Sequence, residues 1–251
     1  MLQPSTPKLV SPLPLDVRKH ALFLDLDGTL VEFAARPEQV VASESLRQML
    51  TKLARAMNGA LALVTGRSIT SADAVLDGAL MYVAGLHGLE QREATGVRRE
   101  VGDIARVRAA ANDAQTLVAN GALDADIEDK GAALAIHYRR APQFANAVRH
   151  AAAELARRHS LILLEGKMVA ELKLGERTKG DAVLDFMNAS PFAGRTPIAV
   201  GDDITDEDAF RAVADIGGHA ILVGAERPTS ARWRLDDPHA VREWLAAGLL
   251  A

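Results

Sequence analysis

The chain contains no cysteine. No disulfide can close a loop in it and no thiolate can form a metal site, a composition compatible with a reducing cytosol. It has no concentration of positive charge: 29 Lys and Arg are dispersed among 33 Asp and Glu, for a net charge of −4. The basic footprint of a nucleic-acid-binding surface is missing, and no nucleic-acid partner is expected. No apolar run approaches the ~18 unbroken residues of a membrane span. The first residues, MLQPSTPKLVSPLPLDV, lack the basic start and continuous apolar segment of a signal peptide, because Pro4, Pro7, Pro12 and Pro14 interrupt them. The expectation is a cytoplasmic protein with no membrane partner, whose residues 1–19 form a mobile, extended leader. What is present is ordinary for a soluble globular protein: 251 residues, 49% apolar and 25% charged. That length suits one large domain or two moderate ones, and either can bury a core.

From residue 21 onward, strand-like and helix-like segments alternate. ALFLDL is an apolar run of strand length. SESLRQMLTKLARAMN has apolar residues at helical spacing, with Ser43 as N-cap and Gly59 as stop. ALALVTG and LMYVAG are further strands, separated by the helix SITSADAVLDG. The alternation returns near the C-terminus with TKGDAVLDFMNAS, PIAVGDD, DEDAFRAVAD, HAILVG and AVREWLAAGL. Such alternation argues for a parallel sheet with crossover helices, a Rossmann-like α/β core.

The middle differs. Two helical segments, IARVRAAANDAQTLVANG and APQFANAVRHAAAELARRH, are each followed by two strand-like runs, around residues 123–139 and 161–174. This repeated α-β-β pattern predicts an inserted α+β domain, an antiparallel sheet with two helices on one face. The expected division is a core of 1–104 and 176–251 with an insertion of 105–175. Alternation along its strands puts Leu134, Ile136 and Tyr138 on one face and His137 and Arg139 on the other. Ala170, Leu172 and Leu174 are likewise opposed to Glu171 and Lys173. The polar face reads either as a solvated surface or as a lid over a site.

Four core strands end in polar residues: Asp25 and Asp27, then Thr65-Gly66, then Gly85 with His87, then Asp202-Asp203. Sites in open parallel sheets form outside the carboxyl ends of the strands. Two unit charges ~4 Å apart repel by roughly 4 kcal/mol at an effective dielectric near 20, so gathered carboxylates call for a cation. All-oxygen ligands favour a hard ion such as Mg²⁺, which also lets a dianionic phosphate approach a carboxylate. Thr65 and Gly66 offer a hydroxyl and backbone N–H groups near a helix start, an anion seat. Lys179 offers a point charge to a phosphoryl group. Asp25 then suits a nucleophile that forms an aspartyl-phosphate. Asp27 suits the group that protonates the leaving oxygen and later activates water. Gly28 permits the turn that aims both inward. Each piece alone has a plainer reading, as a turn, a helix N-terminus or a surface lysine. Their order and their placement at strand ends and helix starts make the combination specific.

DLDGT, VTGRS, Lys179 and GDDITD together resemble the four motifs of the haloacid dehalogenase (HAD) superfamily of phosphotransferases, over roughly 20–95 and 176–225. The resemblance implies a Rossmann-like core with an inserted cap. It implies Mg²⁺ held by Asp25, the backbone carbonyl of Asp27, and Asp202, with Asp203 and Asp206 acting through water or behind the direct ligands. An acid at Asp27 favours a phosphatase or mutase over an ATPase. A narrower likeness is to the trehalose-6-phosphate phosphatases. It rests on DGTLVEFAARPE, GLHGLEQR, EDKGAALAIHYR, ELKLGERTKGDAV and GDDITDEDAF, which span core and insertion. It implies hydrolysis of trehalose 6-phosphate, with Arg67, His87, Glu90, Glu128, Lys130, His137, Arg139 and Glu171 contacting the substrate. It also leaves room for a functional association with a trehalose-phosphate synthase. One departure is Leu174, where members often carry proline, which bears on the stiffness of the loop before Lys179. The alternatives are a phosphatase or mutase for another sugar phosphate, or a non-catalytic sugar-phosphate-binding partner of a synthase.

Overall fold

The structure is a computed structural model that describes residues 9–33, 40–100, 103–131, 133–166, 168–175 and 177–250. Along the chain come β1 (His20–Leu24), α1 (Glu44–Ala56), β2 (Leu61–Val64), α2 (Ile69–Leu76), β3 (Tyr82–Gly85), β4 (Glu90–Arg92) and β5 (Arg98–Glu100). Then follow α3 (Ile104–Ala119), β6 (Asp126–Asp129), β7 (Ala133–His137), α4 (Ala145–His159), β8 (Ile162–Gly166) and β9 (Val169–Lys173). The chain ends with α5 (Lys179–Met187), β10 (Thr196–Gly201), α6 (Glu207–Asp215), β11 (His219–Val223), β12 (Trp233–Leu235) and α7 (Pro238–Gly248). It divides into two compact units, one of residues 1–98 and 178–251 and one of residues 99–177.

The first unit is built on an eight-stranded sheet of order β12-β11-β10-β1-β2-β3-β4-β5. Strands β12 through β3 pair in parallel, and β4 runs antiparallel to β3. β1, β2 and β10 are buried along nearly their whole length, which is why they read as unbroken apolar runs. Helix starts are fixed by side-chain caps. Ser43 accepts from Leu46 N, Ser68 from Ser71 N, and Thr178 forms a reciprocal capping box with Asp181. An aromatic cluster ties α5 to the sheet: Phe186 stacks on Phe23 of β1, and Phe192 lies 5.4 Å from Phe23 and 4.9 Å from Tyr82 of β3. Each buried ring contributes about 1.5–3 kcal/mol through apolar burial. This packing anchors the helix whose first residue is Lys179.

The second unit is a four-stranded antiparallel sheet of order β6-β7-β9-β8, with α3 packed on β6 and β7 and α4 on β8 and β9. Leu134 pairs with Leu172 and Ile136 with Ala170, and this row is buried. The opposite face carries Glu128, Ala135 and Glu171 in one register row, with His137 beside them.

Three expectations change. The leader reading of 1–19 does not hold for its described part. Val10 bridges to Trp233, the indole of Trp244 donates to Leu13 O at 2.9 Å, and Leu15 is 1% exposed in the core. Leu15 fits because Gly248 opposite it has no side chain; a Cβ there would meet Leu15 Cβ at 2.8 Å. Residues 1–8 lie outside the described residues, as do 34–39 of the extended first motif. Arg139 lies past the end of β7, so strand alternation does not set its face, and it sits in an exposed turn; Leu174, past the end of β9, is buried with Ala170 and Leu172 as expected. Finally, β4, β5 and β12 were not expected. Each is three residues long, with sequences EQR, RRE and WRL, too short to show a strand pattern.

Candidate active site

β1 and β10 are central neighbours, in register from His20↔Thr196 to Leu24↔Val200. Their next residues therefore emerge side by side, and Asp25 N continues the ladder by donating to Val200 O at 3.0 Å. Beyond β1 the chain turns sharply, with Gly28 N donating to Val31 O at 2.8 Å. Gly28 has φ +77°, and a Cβ there would sit 2.3 Å from Asp202 Oδ2, so only glycine admits both the turn and the approach of Asp202. The buried Thr29 hydroxyl donates to Asp202 Oδ1 at 3.5 Å. Thr29 had no role in the sequence reading, although it belongs to the quoted motif.

Oxygen atoms of Asp25, Asp202 and Asp206 lie within 4.8 Å of one another. Lys179, 3% exposed, sits against two of them, its Nζ 2.7 Å from Asp25 Oδ1 and 2.6 Å from Asp206 Oδ1. Burial alone would lower this ammonium's pKa; the charges and hydrogen bonds of Asp25 and Asp206 outweigh it and hold the group above its ordinary value. Three carboxylates thus face one ammonium. Burial pushes Asp25 up to about 7 against the pull of Lys179, with Asp206 and Asp202 adding to the rise. Burial also pushes Asp202 up to about 6, helped by Asp206 and Asp203. An all-oxygen cluster with this surplus of negative charge fits a hard divalent cation. Asp206 has little left to offer one. Its Oδ1 accepts from Lys179 and its Oδ2 from the backbone N–H groups of Asp202 and Asp203, at 3.0 Å each. Gly201 makes this possible, since a Cβ there would lie 2.2 Å from Asp206 Cγ. Asp203 is exposed, caps Ile204 N at 2.7 Å, and stands outside the three-carboxylate group.

Asp27 is engaged by Arg67 in a forked ion pair, Nε to Oδ2 at 2.6 Å and Nη2 to Oδ1 at 2.7 Å. The sequence motif gave no hint of that pairing. Thr65 is buried at the end of β2, and its hydroxyl accepts from Arg67 N at 3.2 Å, which leaves its hydrogen to donate. His87 has φ +57° and places its ring over Gly66. Glu90 turns one oxygen onto Ile69 N at the start of α2, at 2.8 Å, so that part of its carboxylate holds the second motif's helix.

Of the residues assigned to the insertion, Glu128, Lys130, His137 and Glu171 gather on the polar face of the second unit. His137 Nε2 lies 2.9 Å from Glu128 Oε2, and Lys130 Nζ 3.1 Å from Glu171 Oε2. The bond to His137, with the charge of Lys130, holds Glu128 below the usual carboxylate range against its partial burial.

A parallel sheet that aims carboxylates from two adjacent central strands at a buried lysine, interrupted by a small α+β insertion, is the architecture of the HAD-like hydrolases. A haloacid dehalogenase-like hydrolase from Bacteroides thetaiotaomicron shares the fold, with TM-score 0.64 at 17% identity over 91% of this chain and 98% of the other. A structure described as a trehalose-6-phosphate phosphatase related protein matches with TM-score 0.74 at 25% identity, over 91% and 96%. The family model described as Trehalose-phosphatase matches residues 23–239. The trehalose-6-phosphate phosphatase of Escherichia coli (strain K12) is 40% identical over 229 residues, 90% of this chain and 85% of that one. The chain belongs to the trehalose-phosphatase family.

Proposed function

We propose that the protein hydrolyses trehalose 6-phosphate to trehalose and phosphate through an aspartyl-phosphate on Asp25. The observation that carries the chemistry is Lys179 fixed between Asp25 and Asp206 beside Asp202, in a chain of this family. Mg²⁺, held by Asp25, Asp202 and the backbone carbonyl of Asp27, would neutralise the cluster and the phosphoryl oxygens; Asp206 and Asp203 stand behind these ligands. Asp25 attacks phosphorus, with Lys179 pinning one of its oxygens so that the other faces the substrate. The Thr65 hydroxyl and Gly66 N–H take phosphoryl oxygens. Asp27 protonates the sugar oxygen as it leaves, then takes a proton from the water that cleaves the intermediate. Arg67 must let go of Asp27 for that exchange, and phosphate is the acceptor its fork fits.

Phosphate chemistry alone cannot select a sugar, since every phosphate ester presents the same group. We assign that selection to His87 and Glu90 with Glu128, Lys130, His137, Arg139 and Glu171. Sites that hydrogen-bond a substrate reject analogues that leave buried polar groups unpaired. The reading includes a cytoplasmic location and a functional association with a trehalose-phosphate synthase, whose product would be the substrate here. None of the helices among the described residues is long and apolar enough to cross a membrane.

The deciding measurement is phosphate release from trehalose 6-phosphate, glucose 6-phosphate and sucrose 6-phosphate, with Mg²⁺ and with chelator. Strong preference for the first and reversible loss on chelation are expected. Equal rates on all three would replace the substrate assignment with a general sugar phosphatase, and no release from any would leave a sugar-phosphate-binding protein.

A second expected outcome concerns the insertion. Glu128→Ala, Lys130→Ala and Glu171→Ala should each lower kcat/KM for trehalose 6-phosphate by about ten- to a hundredfold, the worth of a hydrogen bond to a charged group. Hydrolysis of a small aryl phosphate should change little. Equal losses on both substrates would assign these residues to the fold instead.

A further inference from the structure

The loop between β10 and α6 carries Asp202, and its backbone is held from two sides. On the N–H side, Asp206 takes both amides. On the carbonyl side stands Arg227, from the segment that follows β11, whose Nη2 donates to Asp203 O at 2.8 Å and to Asp202 O at 3.4 Å. Arg227 is itself fixed by Glu207, the first residue of α6 and only 8% exposed. Glu207 accepts from Arg227 Nη1 at 2.5 Å, from the Thr229 hydroxyl at 2.7 Å and from Ser230 N at 2.8 Å. At first sight Glu207 is one more acid at a helix start, where the helix dipole favours it. Burial with three donors converging on its carboxylate is more than that role requires.

We propose that Glu207 and Arg227 form a clamp that sets the Asp202–Asp203 backbone in the shape that takes the divalent cation, so that they are positioning residues for metal binding. The clamp rests on the metal reading above. Metal–ligand distances tolerate only about 0.2 Å, and an irregular loop held on one side alone would rock by more than that. The forked guanidinium suits the task because it reaches two carbonyls and a carboxylate at once; a lysine ammonium is a single point charge. Glu207 also neutralises Arg227. A bare guanidinium so near a cation site would repel its ion, and the pairing removes that penalty while keeping the hydrogen bonds.

Charge and clamp give opposite signs. If Arg227 acted only as a nearby positive charge, Arg227→Ala would tighten Mg²⁺ binding. The clamp requires it to weaken, by about 10–100-fold, as for other groups that orient metal ligands. The experiment is Mg²⁺ titration calorimetry on the parent, Arg227→Ala, Arg227→Lys and Glu207→Gln, with Arg211→Ala as a control that removes a positive charge from an exposed pair on α6. Expected are a 10–100-fold rise in the Mg²⁺ dissociation constant for Arg227→Ala and a smaller rise for Arg227→Lys. Glu207→Gln should also weaken binding, and Arg211→Ala should match the parent. In steady-state assays the loss should fall on the Mg²⁺ concentration for half-maximal rate, with kcat at saturating Mg²⁺ within about threefold of the parent. Should Arg227→Ala fail to fold, the folded Arg227→Lys carries the test in the same direction. Unchanged or tighter Mg²⁺ binding in the arginine variants overturns the clamp, as does a loss confined to kcat. A parent protein that takes up no Mg²⁺ overturns the metal reading itself, a result distinct from both.

Discussion

Asparagine in place of Asp25 should bring turnover of trehalose 6-phosphate to the limit of detection while the protein stays folded. An amide has neither the charge nor the lone-pair basicity to attack phosphorus, and it is a poor ligand for a hard cation. Both halves of the proposed chemistry therefore fail at one atom. The fold has little reason to object. The asparagine oxygen can still accept from Lys179, which also keeps Asp206 at 2.6 Å. Removing one of three crowded carboxylates relieves a repulsion that the metal-free protein otherwise bears. The melting temperature without Mg²⁺ should consequently match or exceed the parent's. Rapid quench with labelled substrate would show a phosphoenzyme in the parent and none in the variant. Measurable multiple turnover by Asp25→Asn would end the nucleophile assignment. A collapsed melting temperature would mean that Asp25 is first a structural residue.

The second large effect is expected from Lys179→Met, and it falls on stability as much as on rate. Removing one partner of a buried ion pair while the other stays charged costs about 3–5 kcal/mol. Lys179 serves two carboxylates, both nearly inaccessible to water, so the upper part of that range applies to the metal-free protein. Mg²⁺ should recover part of the loss, because a cation in the cluster replaces some of the missing charge. Urea unfolding with Mg²⁺ and with chelator measures both terms. A loss below about 1 kcal/mol without metal would show that the carboxylates relax or neutralise more easily than the geometry implies. Turnover should fall severely even at saturating Mg²⁺, since the ammonium that pins Asp25 Oδ1 is gone.

The parts of this molecule that were legible in the sequence share a physical cause. β1, β2 and β10 are buried on both faces, so they had to be apolar runs, and the polar residues that end them stand out against those runs. Asp25, Thr65 and Asp202 became candidates in that way, and Lys179 by its place at a helix start. β4, β5 and β12 escaped notice because three residues are too few to carry a periodic signal. Leu15 escaped because the prolines around it outweighed one apolar residue whose partner, Gly248, is at the other end of the chain. Glu207 and Arg227 were unreadable for a different reason. An acid at a helix start and an arginine in a loop are ordinary, and only the distance between them makes them a pair. Arg67 lies between these cases, its motif visible and its hold on Asp27 not.

The two strands that lead into Asp25 and Asp202 lie side by side in the sheet, yet everything from residue 25 to residue 195 lies between them in the chain, including the whole compact unit of residues 99–177. Bringing the ends of such a stretch together has an entropic cost that grows only with the logarithm of its length, about 0.6 kcal/mol for each doubling. A unit that folds on its own local pairings shortens that stretch further, because it counts by the distance between its ends and not by its residue number. The segment to which we assign sugar choice can therefore lengthen, shrink or be exchanged at almost no thermodynamic consequence to the sheet to which we assign the chemistry. That leaves the identity of the sugar open to evolutionary change while the phosphate chemistry stays fixed.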